Sequence, residues 1–526
     1  MFGNIFHRKV YLIGIALVMC GLPASTVGVS VGFITMAINF LLSGEWKQKF
    51  QRLKQKPYVW VFVAMYFPIL ISGLLSQNHS MGFEIMRLWL PVLLIPPIVA
   101  SAEELNAKEF KLILSLFILS TLVVTFIGAF SYFTLELPDA RKVSPFISHI
   151  RLALMVNLAI AILFDYSTRH KEVKFTNRLL LVFLMVWFIF FLIILNSFTG
   201  ILMLTILMVF VAFRYLSKLG TVYRFVAITG LAVLFFIPLS YVVHKYDSMY
   251  AMRLTSDNKP KQFTLNGNHY LNDTLSTEIE NGYLVNINIC DEELRKEWPK
   301  RSSLPYEGPD KKNQPLRSTL IRYLTSAGLT KDSAGLSMLD SVDIALVESG
   351  FTNTLFKKRV TGFDSRFYEF FYEIHNFHRT GTLTGGSVLR RILYASAAWH
   401  VIKTNPLFGV GYGDLPAAMN QFYDIRKIDL PQAYRFLPHN QYLTVWASAG
   451  IFGLIIFILS FTLPFFSSES FHAFPVKYFW VIVMVSMLFE DTMLTHIGIS
   501  FVAVFSALFI FGCNFKATLG SVHEVR

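Results

Sequence analysis

The sequence predicts an all-α polytopic membrane protein with about twelve transmembrane helices and a large loop domain between the ninth and tenth helices. Hydrophobic residues make up 54% of the 526 residues, and the mean hydropathy is +0.50. A soluble domain of this size would not tolerate such a composition. A helix needs roughly 20 apolar residues to cross the hydrocarbon, and the chain offers about twelve such runs.

The apolar runs start close together in the first half of the chain and resume near its end, and two of them are short or paired. The first run lacks a small-residue cleavage site and leads directly into a second run, so we interpret it as a retained helix. The runs begin near Val10, Val27, Tyr58, Leu88, Phe110, Ile150, Leu179, Thr199, Phe225, Gln441, Tyr478 and Gly498.

Short basic loops predict the orientation, because positive charge stays on the cytoplasmic side. The stretches "EWKQKFQRLKQKP" and "STRHKEVKFTNR" are therefore assigned to the cytoplasm, as are both termini. Residues from about His244 to Pro438 are then external. The net charge of +13 lies mostly in the cytoplasmic loops. Anchoring to anionic membrane lipid accounts for that charge, and nucleic acid is not implied.

The predicted domains are residues 1–243 with helices one to nine, the loop domain 244–440, and residues 441–526 with helices ten to twelve. Residues 256–353 carry mixed charge and turn signals such as "ENG", which favours an insert of strands and helices. Within it, the apolar spacing from Leu320 to Val347 predicts two amphipathic helices around a Gly-Leu turn. Residues 354–440 are helical and aromatic in pattern and contain Arg391 and the "PLFGVGYG" turn.

Several polar residues are predicted at the external ends of different helices. Charge at membrane depth is costly and suggests function, although near the interface long side chains ordinarily reach water. Any single arginine here is more often structural, but their convergence favours a substrate site. The positions are Arg151 at the sixth helix, Ser197 and Thr199 in the turn before the eighth, Arg390 and Arg391 before Pro406, His439 and Asn440 before the tenth, and Glu490 and Asp491 after the eleventh.

Simpler structural roles compete for some of these residues. Asn440 and Gln441 are suited to cap the tenth helix, which leaves the imidazole of His439 unexplained. Glu490 and Asp491 either bind sugar hydroxyls, pair with Arg151 or form a solvated helix end. The glycines of "LFGVGYG" follow a helix and a proline, so they do not form a dinucleotide fingerprint. They let the backbone approach a ligand or pack under helix ends.

Arg391, Pro406 fifteen residues later, "LFGVGYG" and "PHNQYL…G" together resemble the signature of the O-antigen ligase and O-antigen polymerase superfamily of bacterial inner-membrane glycosyltransferases. The match covers about residues 387 to 461, and the order of helices and external loop agrees over the whole chain. The resemblance implies a GT-C-like architecture. It also implies a polyprenyl-pyrophosphate-linked glycan donor and transfer to an acceptor hydroxyl without a metal or other cofactor.

The resemblance also implies residue roles. Arg391 corresponds to the arginine that holds the pyrophosphate, and His439 to the catalytic histidine, either as a general base or as a group that orients phosphate or acceptor. A guanidinium suits a leaving pyrophosphate, and an imidazole suits proton transfer near neutral pH. The family often has an arginine in the turn that here reads "NSFTG". Arg151 or Arg390 is the proposed replacement.

The leading prediction is an O-antigen ligase-like enzyme whose acceptor is lipid A core or a similar glycolipid. A polymerase that joins repeat units is the main alternative, and a protein O-glycosylating relative is a third. From another class, a polysaccharide transporter or glycan-binding membrane protein is considered. Transporters tend to show inverted repeats and charges near the midplane, whereas this chain shows no repeat and its charges cluster at one face. Further polysaccharide-assembly proteins are possible partners under each of these functional alternatives.

Overall fold

The computed structural model describes residues 2–134, 143–169, 174–216, 220–251, 258–276, 278–358, 368, 370–375, 377, 387–428 and 430–513. The chain forms two compact units, one of Met1–Ala212 with Asn376–Arg526 and one of Phe213–His375. These boundaries lie apart from the predicted ones at 244 and 441. The helix that carries Arg391 belongs to the first unit, together with the helix that follows His439.

The amino-terminal part of the first unit is a succession of helices, and one lies at every predicted run. The basic stretch around Lys49, predicted as a short loop, also forms a helix, which turns by 115° from the helix before it. It is helical because Lys49 and Leu53 bury one face. The helices are α1 (Phe2–Ala24), α2 (Thr26–Leu42), α3 (Trp46–Gln55), α4 (Tyr58–Val63), α5 (Tyr66–Leu75), α6 (His79–Leu88), α7 (Leu90–Ser101), α8 (Ala107–Thr134), α9 (His149–Arg169), α10 (Phe175–Leu195) and α11 (Phe198–Leu216).

The remainder of the first unit contains six of the predicted site residues, namely Arg390, Arg391, His439, Asn440, Glu490 and Asp491. Its helices are α18 (Ser387–Thr404), α19 (Leu415–Ile425), α20 (Gln441–Phe466), α21 (Phe474–Phe489) and α22 (His496–Ala507). Short 3₁₀ turns occupy 432–434, 469–472 and 492–494. Between α21 and α22, residues 490–495 form a connection that contains the 3₁₀ turn 492–494, and Glu490 and Asp491 precede that turn in non-helical conformations.

In the part of the chain that the structure describes, seven helical segments are long and apolar enough to cross a membrane, or eight if α2 and α3 form one broken span. The prediction of a mostly helical, multi-pass membrane protein is therefore confirmed. The number twelve remains a prediction. The seven segments are Ile5–Ala24, Tyr58–Leu75, His79–Ser101, Ala107–Thr134, His149–Arg169, Phe175–Leu195 and Gln441–Phe466.

Among its described residues, the second unit combines helices with one small antiparallel hairpin. The turn signal "ENG" places Asn281 and Gly282 between the strands, and both have positive φ, as two-residue hairpin turns prefer. The elements are α12 (Thr221–Tyr250), β1 (Ile279–Glu280), β2 (Tyr283–Leu284), α13 (Asp291–Glu297), α14 (Leu316–Ser326), α15 (Ser333–Ser337), α16 (Ser341–Glu348) and α17 (Leu355–Lys358).

One prediction for the insert is wrong: the second amphipathic helix is two helices, α15 and α16. The Asp340 side chain accepts hydrogen bonds from the N–H groups of Val342 and Asp343, and Asp343 bonds back to the N–H of Asp340. This capping box starts a new helix at Ser341. The apolar spacing continues across the break, which is why spacing alone does not reveal it.

The helix α20 is interrupted at Gly450, where φ is 70° and ψ is −177°. The glycine-rich turn supplies hydrogen-bond donors to the backbone of α20 at this break. The N–H groups of Val410 and Gly411 donate to the carbonyls of Ala447 and Ser448, each at 2.9 Å. Backbone groups freed at membrane depth need such partners. Of the two predicted roles for this turn, packing against a helix is therefore the one that the structure shows.

Replacing Gly450 by alanine is expected to destabilise the protein by about 2 kcal/mol or more, because this positive-φ extended conformation is essentially restricted to glycine and costs another residue about 1–3 kcal/mol. A Cβ there would also lie 2.0 Å from the carbonyl oxygen of Leu407. Thermal unfolding in detergent measures the effect. Gly230→Ala in α12 is the matched control, since a Cβ at that position meets no atom within 4 Å. Equal melting temperatures for the two variants would contradict the expectation.

Candidate active site

The carboxylate of Glu490 joins three of the predicted site residues. Its Oε1 lies 2.8 Å from Nη2 of Arg391. Its Oε2 lies 3.7 Å from Nη1 of Arg151 and 3.6 Å from Nδ1 of His439. The Glu490 side chain is only 6% exposed, whereas that of Arg391 is 42% exposed. We call Arg151, Arg391, His439, Glu490 and Asp491 the ionic cluster.

The two arginines also bind the backbone of the connection after α21. Arg391 donates from Nη1 to the carbonyl of Phe489 at 3.3 Å. Arg151 donates from Nη2 to the carbonyl of Asp491, also at 3.3 Å. Both guanidinium groups are therefore held against the same short segment, although they come from helices more than 200 residues apart in the chain.

Asp491 positions His439 through the backbone. Its Oδ2 accepts the N–H of His439 at 3.0 Å, and its Oδ1 accepts the hydroxyl of Thr444 at 2.6 Å. His439 has φ of +53°, a left-handed conformation that is uncommon outside glycine but enriched for histidine among a few types. The hydrogen bond that the N–H of His439 donates to Asp491 stabilises this conformation, which precedes the first turn of α20.

Asn440 and Gln441 complete the connection between α20 and the segment after α21. Asn440 caps α20, accepting from the N–H groups of Tyr442 and Leu443, as its position predicts. Its Nδ2 donates to the carbonyl of Leu488 at 3.1 Å. Gln441 Oε1 accepts the N–H of Met493 at 2.9 Å. These bonds fix the helix start to the acidic segment, and substrate contact by Asn440 remains a prediction.

Aromatic residues surround the imidazole. The ring of Tyr394, one turn after Arg391 on α18, lies 5.9 Å from the His439 ring, and the ring of Phe436 lies at 6.1 Å. The hydroxyl of Tyr394 donates to the carbonyl of Tyr434. The guanidinium of Arg390 lies 4.6 Å from the Tyr434 ring centroid. Arg390 therefore borders the ionic cluster through an aromatic residue.

Ser197 and Thr199 are buried in the turn between α10 and α11. Ser197 Oγ accepts the N–H of Gly200 at 3.2 Å, and the Gly200 carbonyl accepts from Asn157 Nδ2 on α9 at 3.0 Å. The turn is thus packed against the same helix that carries Arg151. A contact of Ser197 or Thr199 with substrate remains a prediction.

The pKa values of the two neighbouring carboxyl groups shift in opposite directions. Burial acts to raise the pKa of Glu490, but the His439 imidazole and the charges of Arg151 and Arg391 lower it below its ordinary value. Burial raises the pKa of Asp491, against the opposing hydrogen bond from Thr444. The opposite shifts follow from the contacts of the two groups, because Glu490 faces the cations whereas Asp491 accepts from a hydroxyl and a backbone N–H.

Glu490→Gln is expected to lower the free energy of unfolding at pH 7 by about 3 kcal/mol, because it leaves the largely buried guanidinium of Arg151 and the half-buried guanidinium of Arg391 without their counter-charge. A lowered pKa means that the stabilisation is present above the unfolded-state value, about 4.3, and is lost as pH falls through the folded-state pKa. The stability difference from the unmodified protein should therefore persist at pH 5 and shrink below about pH 4.

Thermal unfolding at several pH values measures this difference, with Glu84→Gln as the control. Glu84 is exposed on α6, so its replacement should change stability little at any pH. A Glu490→Gln difference that grew as the pH fell would contradict the assigned ionisation.

The cationic charge of the cluster comes from guanidinium groups. Within the described residues, no group of three or more His, Cys, Asp or Glu side chains is arranged to hold a metal ion. Paired guanidiniums are suited to phosphate oxygens because each presents planar N–H donors. An imidazole beside them is suited to proton transfer.

Fold and site together define a multi-pass, mostly helical membrane protein with an ionic cluster where its helices end. A family model described as O-Antigen ligase (Wzy_C) matches residues 346–458. The match confirms the predicted resemblance and supports membership of the chain in the O-antigen ligase and polymerase superfamily. Members are glycosyltransferase-like enzymes, and the family implies a lipid-linked glycan donor and a glycan acceptor. No curated protein matches the chain.

The matched region contains Arg391 and His439 but ends before Glu490 and Asp491. Of the five predicted positions in the ionic cluster, Arg151, Glu490 and Asp491 lie outside the matched region. Sequence reasoning missed Thr444, Tyr394 and Phe436. Tyr394 follows Arg391 at helical spacing, which was an available signal. No sequence signal pointed to Thr444, because its hydrogen-bond partner Asp491 is 47 residues away in the chain.

Proposed function

We propose that the protein is a glycosyltransferase that moves a glycan from polyprenyl pyrophosphate to an acceptor hydroxyl. The proposed type is O-antigen ligase-like, with lipid A core or a similar glycolipid as acceptor. The observation that carries this proposal is the contact of one buried carboxylate, Glu490, with His439, Arg391 and Arg151. It brings a proton acceptor and two phosphate-binding groups to a single place.

In the proposed reaction, the acceptor oxygen attacks the anomeric carbon of the donor glycan. The bond from that carbon to the pyrophosphate oxygen breaks, and polyprenyl pyrophosphate leaves with the electron pair. Arg391 and Arg151 stabilise the charge that develops on the leaving group. His439 accepts the hydroxyl proton. Since Nδ1 faces Glu490, the carboxylate favours the proton on Nδ1 and leaves Nε2 as the acceptor.

The proposed membrane arrangement has twelve spans, cytoplasmic termini and a periplasmic active face in a bacterial inner membrane. The basic loops support it through the positive-inside rule. The position of the ionic cluster supports it too, because Arg151, His439 and Glu490 all lie at the ends of apolar helices. Contact of Arg390, Ser197, Thr199 and Asn440 with the glycan is part of the proposal, and for Ser197 and Thr199 it requires that their buried turn open to the substrate.

The purified protein in detergent, supplied with polyprenyl-pyrophosphate oligosaccharide with and without lipid A core, tests the proposal. Gel separation resolves the products. The ligase is expected to transfer one intact oligosaccharide block onto the core and to give no product without it. A ladder of longer glycans still linked to polyprenol would identify a polymerase instead. Absence of product in both reactions, with donor binding retained, would support a binding or transport role.

A further inference from the structure

A groove lies in the first unit, between α8, α9, α10 and the start of α21, far from the ionic cluster. Its volume is about 410 Å³, within the range of small-molecule sites. It contains Arg169 at the carboxyl end of α9, eighteen residues after Arg151. At the helical rise per residue, the two ends are about 27 Å apart. We call it the basic groove.

The depth of the basic groove is apolar. Its walls are built from side chains of three segments that are long and apolar enough to span a membrane, α8, α9 and α10. Leu114 and Ile118 come from α8, Ile162 from α9 and Leu181 from α10, and the buried ring of Phe509 also lines it. A hydrocarbon chain is the ligand that such walls accommodate without leaving a polar group unpaired.

The opening of the groove is cationic. Lys108 and Lys111 are exposed at the start of α8, and Arg169 ends α9. Lys111 Nζ lies 2.6 Å from the hydroxyl of Tyr166. Arg169 Nε lies 2.8 Å from the buried carboxylate of Asp165. Three cationic side chains against one carboxylate leave an excess of two positive charges around an apolar interior.

We propose that the basic groove binds an anionic phospholipid, with an acyl chain between α8, α9 and α10 and the phosphate at Lys108, Lys111 and Arg169. Basic pockets between transmembrane helices recognise anionic head groups in this way. A zwitterionic lipid fits the walls but not the charge excess. A soluble phosphate fits the charge but not the walls. The polyprenyl donor has its pyrophosphate at the opposite end of α9 in the proposed reaction.

The test uses the full chain, purified in detergent and depleted of lipid, titrated with phosphatidylglycerol or with phosphatidylcholine of identical acyl chains. Native mass spectrometry counts the bound lipid. The double variant K108Q/K111Q removes two cations of the groove. K47Q/K54Q is the matched control, because it removes two exposed lysines of α3, outside the groove. Leu114→Trp fills the apolar part and leaves every charge in place.

We expect one phosphatidylglycerol to bind in preference to phosphatidylcholine. K108Q/K111Q should weaken that binding about 30-fold, at about 1 kcal/mol for each cation near a lipid head group. K47Q/K54Q should not change it, and Leu114→Trp should abolish it. Melting temperatures like that of the unmodified protein show that the variants are folded.

Three results would overturn the proposal. Equal affinity for the two phospholipids would remove the role of charge. Equal weakening by K47Q/K54Q, or full binding by Leu114→Trp, would mean general surface attraction instead of a groove. Displacement of phosphatidylglycerol by an equal concentration of polyprenyl phosphate would assign the groove to the isoprenoid carrier.

Discussion

His439→Ala is expected to lower the rate of glycan transfer by about 100-fold or more, the usual contribution of a positioned general base. Imidazole is the side-chain group best suited to proton transfer near neutral pH, and that of His439 lies 3.6 Å from the carboxylate of Glu490. Binding of the polyprenyl-linked donor should persist, because Arg391 and Arg151 remain. Single-turnover transfer and donor binding, measured on the same preparation, separate the two effects.

The conformation of His439 shapes the choice of variants. With φ of +53°, alanine adds backbone strain to the loss of the imidazole, whereas asparagine tolerates this region. His439→Asn should therefore fold as well as the unmodified protein and still lose transfer. His472→Ala is the control, since His472 is exposed in the 3₁₀ turn before α21. Transfer at the normal rate by His439→Asn would show that the imidazole is not the proton acceptor.

Arg391→Ala is expected to reduce transfer by about 100-fold to 1000-fold, as removal of one group that stabilises a developing oxyanion typically does. Arg391→Lys should recover only part of the loss, because an ammonium group lacks the planar pair of donors. Arg151→Ala should act in the same direction, since the Arg151 guanidinium binds the other oxygen of the same carboxylate, Glu490. Transfer rates at saturating acceptor, over a range of donor concentrations, measure both effects.

Arg426→Ala is the matched control for the arginine variants. Arg426 is exposed at the end of α19 and its guanidinium lies near the Phe422 ring, away from the ionic cluster. Full activity of Arg151→Ala together with loss of activity in Arg391→Ala would refute the idea that Arg151 replaces the arginine missing from the turn "NSFTG". Full activity of both variants would refute phosphate binding by the cluster.

Much of the fold was predictable because apolar runs of membrane length are a strong signal. A helix lies at every predicted start, from Val10 to Gly498. The convergence of Arg151, Arg391, His439, Glu490 and Asp491 also followed from the topology, since alternate helix ends face one side. Two features escaped prediction, the helix cap at Asp340 and the helix around Lys49. The first depends on local hydrogen bonds of the Asp340 side chain, and the second on burial of Lys49 and Leu53 against the rest of the protein.

The detailed roles within the site depend on contacts between distant segments. The sequence favours capping of α20 by Asn440 and Gln441; Asn440 caps it, whereas Gln441 accepts the N–H of Met493 instead. Glu490 and Asp491 are adjacent and chemically alike, yet one pairs with cations and the other holds the backbone of His439 and the hydroxyl of Thr444. That difference arises from the extended turn after α21, which points the two carboxylates to different neighbours. Composition and residue spacing carry no information on which of the two carboxylates pairs with the cations.

The pairing of the glycine-rich turn with the break in α20 also limits how this protein can be recombined with a relative. The carbonyls of Ala447 and Ser448 are satisfied by the N–H groups of Val410 and Gly411, and the N–H of Ile451 donates to the carbonyl of Pro406. A chimaera whose α20 came from a relative without this break would leave these backbone donors and acceptors unpaired in an apolar setting. The smallest segment suited to exchange therefore runs from 406 to 451, and it carries His439 with it.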